Sequence, residues 1–261
     1  MNQTPLFTVI TPSFGAGEKL RRTLDSVLAQ KRGLFECWVI DGGSDDGSTA
    51  LLEGYGPQVQ WVSEPDGGIY DAMNKGIARA KGRFLYFLGA GDTLRPDALE
   101  AVAALLPPDG PTFFYGSVYW VEIGEKYAGR WSPRRFSRGC LCHQAIFYER
   151  TIFDLLGLYD LRYPLAADYV LNVRCFGDRR IRKVYADLIV ADYEGGGVST
   201  TADDPQFFRD APGLMRRHLG WGTYLLRRAE MLTPPAAQRL RHRLLLGVKA
   251  ARRRAAGDSA P

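Results

Sequence analysis

Residues 37–49 read Cys37-Trp38-Val39-Ile40-Asp41-Gly42-Gly43-Ser44-Asp45-Asp46-Gly47-Ser48-Thr49. The first four are an apolar run of strand length, and the aspartate and paired glycines that follow stop it. The same pattern recurs on both sides. Phe7-Thr8-Val9-Ile10-Thr11 and Val59-Gln60-Trp61-Val62 are strand-like, and Glu64-Pro65-Asp66-Gly67-Gly68 follows the latter. A fourth strand is predicted over 84–88, closed by Gly89-Ala90-Gly91-Asp92. Between these runs, Leu20, Leu24, Val27 and Leu28 recur at helical spacing, and Ile69, Met73 and Ile77 predict a helix over 69–80. Such alternation implies a parallel sheet with helices on both faces. In such sheets a ligand lies beyond the carboxyl ends of the strands. Asp41, Asp66 and Asp92, far apart in the chain, are therefore expected at one rim. The glycines beside them would let backbone approach a bulky ligand.

The 261 residues are 46% hydrophobic and 24% charged, which excludes a disordered or fibrous chain. A chain this long can bury roughly 70–75% of its unfolded surface without disulfide staples. Cys37, Cys140, Cys142 and Cys175 lack paired zinc-site spacing and are expected to be reduced. The start, MNQTPLFTVITPSF, does not read as a signal peptide, and no apolar run approaches the ~18 residues of a transmembrane helix.

The net charge of +5 conceals an asymmetry. Residues 211–261 hold 11 Lys+Arg against 2 Asp+Glu, whereas 1–210 hold 23 against 27. A division is therefore drawn at 210/211, between a mildly acidic body and a basic tail. Around Pro234-Pro235 the tail divides into two candidate helices. Leu240, Leu244 and Val248 recur at four-residue steps, with Arg239, Arg243 and Lys249 mainly on another face. Leu214, Met215, Trp221, Leu225 and Leu226 sit among Arg216, Arg217, Arg227 and Arg228. Basic amphipathic helices suit an anionic membrane surface. The alternative is that the apolar stripe packs on the body. Nucleic acid is not expected, since no recognised binding motif accompanies the charge.

The second half is less regular. A strand is expected over 113–120, a hairpin over 120–131, a loop entering a strand over 142–148, a helix over 168–175 and strand over 181–193. No Walker A motif occurs, and no GxGxxG opens a helix after the first strand, so P-loop and NAD-binding readings lose support. An aspartate-rich rim suits a phosphorylated ligand held through Mg²⁺ or Mn²⁺.

The segments VITPSF (9–14), WVIDGGSDDGST (38–49), SEPDGGIYDAMNKGIARAKG (63–82) and FLGAGD (87–92) occur in this order. Together with CHQAIFY (142–148) and AADYVLNVR (166–174), they resemble glycosyltransferase family 2, and within it the bacterial exopolysaccharide and colanic-acid branch. The resemblance spans about residues 6–193. It implies an α/β GT-A fold, a Rossmann-like mixed sheet flanked by helices, over 1–210, with the basic helical tail over 211–261. It implies an inverting transferase of hexosyltransferase type that uses a nucleotide sugar, UDP by family habit.

By the same resemblance, Thr11, Pro12 and Ser13 match the first-strand loop against the nucleotide. Asp41 matches the aspartate that binds the base, while Asp45 and Asp46 suit turn and cap chemistry. Asp66 matches a carboxylate near nucleotide and sugar; Asp71, Asn74 and Lys75 match the helix that follows. Asp92 matches the last carboxylate of a DxD motif whose first position is here Ala90, so it would ligate Mg²⁺ or Mn²⁺ with help from diphosphate and water. His143 and Gln144 match a loop beside the sugar or diphosphate. Asp168 matches the catalytic base, whose removal of the acceptor proton contributes ~10²–10⁴-fold. Trp120, Trp131 and Tyr169 are candidates to stack on sugars.

The resulting expectation is sugar transfer to a glycan or polyprenyl-linked hydroxyl at the cytoplasmic face of a plasma membrane, in surface-glycan synthesis. Its rivals are a sugar nucleotidyltransferase, for which TPSFGAGEKLRR (11–22) is a poor glycine-rich loop, and a non-catalytic nucleotide-sugar or glycan-binding module.

Overall fold

A computed structural model describes residues 4–127, 129–195 and 203–233. The first four strands are β1 (Phe7–Ser13), β2 (Phe35–Asp41), β3 (Gln60–Ser63) and β4 (Phe84–Phe87). All pair in parallel, in the order β3-β2-β1-β4. The helices α1 (Glu18–Leu28), α2 (Ser48–Gly54) and α3 (Ile69–Arg79) form their crossovers.

The sheet then changes character. The strand β8 (Ile146–Glu149) runs antiparallel between β4 and β6 (Thr112–Trp120). Next come β9 (Arg182–Tyr193), parallel to β6, and the short β5 (Thr93–Leu94), antiparallel to β9. β7 (Glu125–Tyr127) closes the expected hairpin on β6. The whole is a mixed sheet, as the family resemblance implies.

Alternation along each strand divides the interior into two layers. Val9, Cys37, Val39, Phe84 and Tyr86 pack with Leu20, Leu24 and Val27 of α1, and with Leu99 and Val102 of α4 (Ala98–Ala103). Ile10, Ile40, Leu85 and Phe87 face the other way, onto Met73 and Ile77 of α3 and Val170, Leu171 and Val173 of α6 (Ala167–Gly177). α5 (Thr151–Leu156) adds Ile152 and Phe153 to this second layer. Two close approaches lock the sheet to its connections. An added Cβ on Gly82 would lie 2.4 Å from the Thr8 nitrogen, and one on Gly76 would lie 2.5 Å from the Ile10 side chain.

The last helices are α7 (Pro205–Leu219) and α8 (Trp221–Leu232). Asp204 caps α7 by accepting from the Phe207 N–H at 3.0 Å, and Pro205 occupies its first turn. α7 runs unbroken through 210/211, and Phe207, Ala211 and Met215 enter the second core layer. So the part of the basic segment up to 219 is packed onto the body. The second candidate helix of the tail, with Leu240, Leu244 and Val248, lies outside the described residues.

α8 is inverted relative to an ordinary surface helix. It buries Thr223 and Arg227 and exposes Trp221 (62%), Leu225 (61%) and Leu232 (79%). The i, i+4, i+11 spacing of those three places them on one stripe, with exposed Arg228 at i+7. Arg216 of α7 lies over the Trp221 ring, 5.2 Å from its centroid.

Candidate active site

The loops after β1, β2, β3 and β4, the turn before β8 and the N-terminus of α6 meet, together with α7 and α8, around a cleft of about 1440 Å³. That exceeds the roughly 300–1,000 Å³ of single-ligand pockets, so two substrates can share it. Pro12, Ser13, Asp66, Asp92, His143, Gln144 and Asp168 all line it. Thr11, buried within β1, does not, and Asp41, Asp71, Asn74 and Lys75 are likewise absent from its wall.

The excluded residues hold the loops. The Asp41 carboxylate is buried within its own turn. Its Oδ2 accepts from the Gly43 N–H at 3.2 Å, the Ser44 N–H at 2.9 Å and the Ser63 hydroxyl at 2.6 Å; its Oδ1 accepts from the Ser44 hydroxyl at 2.6 Å. These bonds close the loop after β2, and Gly42 is the residue of this turn that lines the cleft. A side chain there would displace its neighbours, because its Cβ would sit 2.8 Å from Asp66 Oδ2 and 3.1 Å from the Phe14 ring.

Asn74 is also spent structurally. Its amide donates to the Tyr159 carbonyl and accepts the Tyr159 N–H, both at 3.0 Å. Asp71 accepts from the Gly67 N–H at 2.9 Å and lies 3.4 Å from Lys75, which also bonds the Pro65 carbonyl and pairs with Glu64. The helix that follows Asp66 therefore shapes the turn from behind. Asp66 itself accepts from the Gly68 N–H at 2.8 Å.

Asp92 and Asp168 are the two carboxylates at the floor. Asp92 Oδ1 accepts from the Glu194 N–H at 3.0 Å, and its Oδ2 accepts from the Gln144 amide at 2.5 Å. Burial raises its pKa above the ordinary aspartate range, opposed by those two donors. The Thr23 hydroxyl fastens this loop to α1, accepting from the Gly91 N–H and donating to the Asp92 carbonyl.

Asp168 lies in the first turn of α6. Its Oδ1 accepts from the Tyr70 hydroxyl and from the Tyr169 N–H, both at 2.7 Å. Its Oδ2 faces His143 Nδ1 at 3.6 Å, beyond direct hydrogen-bond distance. Burial, and then the charge of Asp168, push the Tyr70 hydroxyl well above its ordinary pKa, so it stays a donor.

Neighbouring residues on one short turn connect the two carboxylates. Gln144 holds Asp92, and His143 faces Asp168. The Cys142 thiol donates to Gln144 Oε1 at 2.7 Å and fixes which end of the amide reaches Asp92. Burial pushes that thiol's pKa far upward, so it stays protonated. The Nε2 of His143 is buried and unpartnered. Of the aromatic candidates, Trp120 and Tyr169 line the cleft, whereas Trp131 is buried against Phe136.

Three further features of the wall lie outside the residues to which the family resemblance assigned a role. Phe14, 75% exposed, stands at the lip, and Lys19 lies beside Gly91 and makes no ion pair among the described residues. The third is Tyr70, whose link to Asp168 spans 98 positions.

The model of Glycosyl transferase family 2 matches residues 8–157. The chain belongs to this family. It is 36% identical over 233 residues to the PGL/p-HBAD biosynthesis glycosyltransferase of Mycobacterium tuberculosis (strain ATCC 25177 / H37Ra), covering 86% of this chain and 91% of the relative. An uncharacterized glycosyltransferase of Mycobacterium tuberculosis (strain ATCC 25618 / H37Rv) is 40% identical over 187 residues, covering 67% of this chain and 70% of the relative.

Among solved structures, the family 2 chain resembles S. aureus TarS 1–349 in complex with UDP (TM-score 0.62, 18% identity, 82% of this chain and 65% of that one). It also resembles the mannosyltransferase PcManGT from Pyrobaculum calidifontis in complex with GDP-Man and Mn²⁺ (TM-score 0.57, 16% identity, 96% of this chain and 81% of that one). At such identities the likeness establishes the fold. The fold is GT-A, and the chain is a glycosyltransferase of family 2.

Proposed function

We propose that this glycosyltransferase moves a sugar, with inversion, from a nucleoside diphosphate to a hydroxyl of a lipid-linked or polysaccharide acceptor in surface-glycan synthesis. The observation that carries this reading is the single turn, His143-Gln144, set between Asp92 and Asp168 in a cleft roomy enough for donor and acceptor. The donor would lie along the loops after β1, β3 and β4. Phe14 offers a face for the base, and Lys19 offers a cation to the diphosphate. UDP is the favoured nucleotide, as in the complexes of TarS with UDP and UDP-GlcNAc.

Asp168 would take the proton of the acceptor hydroxyl through Oδ2, the oxygen left open by Tyr70 and Tyr169. No carboxylate is assigned as a nucleophile, so one displacement and inversion follow. Among the described residues no group of three His, Cys, Asp or Glu forms a cation cage. Asp92 is a buried carboxylate with no basic ion-pair partner among them, which suits one ligand of a site completed by diphosphate and water. Bound Mg²⁺ or Mn²⁺ would supply charge stabilisation to the leaving diphosphate.

The deciding experiment is a screen of nucleotide sugars with Mg²⁺, Mn²⁺ or EDTA, reading the released product. Metal-dependent release of nucleoside diphosphate is expected. Pyrophosphate would make the protein a nucleotidyltransferase, and binding without turnover would make it a binding module.

A position at the inner face of a plasma membrane is part of the reading. No described helix is long and apolar enough to cross a membrane. The outward stripe of α8 supports surface attachment instead, as do the seven Lys+Arg against one acidic residue in 234–261. The full chain is expected to co-sediment with vesicles of anionic phospholipid. Trp221→Ser with Leu225→Ser, or removal of 234–261, should each lower the bound fraction severalfold. Unchanged sedimentation of both variants rejects the membrane assignment.

A further inference from the structure

The far wall of the cleft, away from the donor loops, contains a charge that the proposed reaction does not use. Arg227 of α8 is 7% exposed and lines the cleft. Its Nη1 donates to the Ser137 carbonyl at 3.3 Å, and its Nε is buried without a hydrogen-bond partner. The guanidinium stands over two aromatic rings, 5.7 Å from the Phe207 centroid and 5.4 Å from that of Phe208. Among the described residues no carboxylate lies within ion-pair distance of it. The acidic neighbour on the same helix face, Glu230, is paired with Arg138 at 3.3 Å.

Taking a guanidinium out of water costs several kcal/mol unless an anion or a full set of acceptors compensates it. One carbonyl and two ring faces leave most of its five N–H donors unused. A planar fork of donors in that state matches the oxygens of a phosphate or carboxylate. Its position assigns the anion to the acceptor side. The Phe207 ring is 4.7 Å from that of Tyr169, and the Tyr169 N–H bonds Asp168. Arg227 is thus reached by passing from the base through two aromatic rings, whereas Asp66, Lys19 and Asp92 belong to the donor loops. Phe208 is 41% exposed and Met231 43% exposed, and both line the cleft beside Arg227. An apolar body would therefore meet apolar wall next to the cation.

We propose that Arg227, cradled by Phe207 and Phe208, is an oxyanion subsite of the acceptor, which carries a phosphate or carboxylate joined to an apolar group. This rests on the transferase reading for the word acceptor, but the binding site itself is tested without turnover.

The test is equilibrium binding to the full chain, followed by calorimetry, of four probes: octyl phosphate, octanoate, octanol and inorganic phosphate. At least one octyl anion is expected to bind ten-fold or more tightly than octanol. Arg227→Gln should erase that preference, and Arg227→Lys should retain part of it. Octyl phosphate ahead of octanoate identifies a phosphate, and the reverse a carboxylate. Octyl phosphate ahead of inorganic phosphate identifies a lipid headgroup, whereas equal binding overturns the apolar part of the assignment and makes Arg227 a site for free phosphate.

Octanol binding as tightly as both octyl anions, with inorganic phosphate not binding, overturns the assignment in the parent chain alone, whether or not the variants fold. So does a folded Arg227→Gln chain that keeps the parent's affinities. Absence of sugar transfer with the preference intact would discard the transferase reading and leave the anion site standing.

Discussion

Asp168→Asn is expected to lower turnover by at least ~10²-fold while donor affinity stays nearly unchanged. The substitution keeps shape, burial and an oxygen that can still accept from the Tyr70 hydroxyl and the Tyr169 N–H, each now at 2.7 Å. What it removes is a lone pair basic enough to take the acceptor proton. Because Asp168 sits on α6, apart from the loops after β1, β3 and β4 that are proposed to hold the donor, the nucleotide's contacts are expected to stay unaltered. Release of nucleoside diphosphate at saturating acceptor, beside a direct titration of nucleotide, separates the two effects. Turnover within a few-fold of the parent would remove Asp168 from its role. Loss of nucleotide affinity of the same size as the loss of turnover would make it a donor ligand. Tyr70→Phe should follow in the same direction with a smaller effect, since it removes one of the two donors that orient Oδ1 without removing the carboxylate.

The parts legible in sequence are those written locally. Short apolar runs mark β1–β4, and an aspartate with glycines after three of them marks the loops holding Asp41, Asp66 and Asp92, so these were readable. The motif order carried the family. Contacts between distant positions leave no such local trace. The insertion of β8 antiparallel between β4 and β6 is one example. The Gln144–Asp92 bond across 52 positions, and the Tyr70–Asp168 bond across 98, are others.

The orientation of a carboxylate is equally silent. Asp41 and Asp66 both precede glycines, yet one closes its own loop and the other lines the cleft. Asn74 falls in the same motif as Asp66 but clamps Tyr159. One local signal was available and unused. Asp204-Pro205 is a helix start, and charge counting drew the division six residues later, inside α7.

Asp92→Asn is expected to separate stability from activity, making the stability of the metal-free protein less dependent on pH while lowering metal-dependent turnover by ~10²-fold or more. Burial raises the Asp92 pKa more than the Glu194 N–H and Gln144 amide lower it. A carboxyl whose pKa is higher folded than unfolded adds stability that is fully present below the unfolded value and lost as pH rises through the folded value. At neutral pH the ionised side chain is therefore a cost to the empty protein; asparagine removes that pH-dependent cost, and in exchange sets its NH₂ against one of the two N–H donors, a penalty that does not vary with pH. The parent should lose stability relative to the variant as pH rises from about 4 towards neutrality, in melts recorded without metal. Added Mn²⁺ and nucleotide should then stabilise the parent more than the variant, because only the parent offers a carboxylate to the cation. A parent that gains no more than the variant from Mn²⁺ and nucleotide, with turnover unchanged by the substitution, would strip Asp92 of the metal and leave it a loop anchor for Gln144 and Glu194.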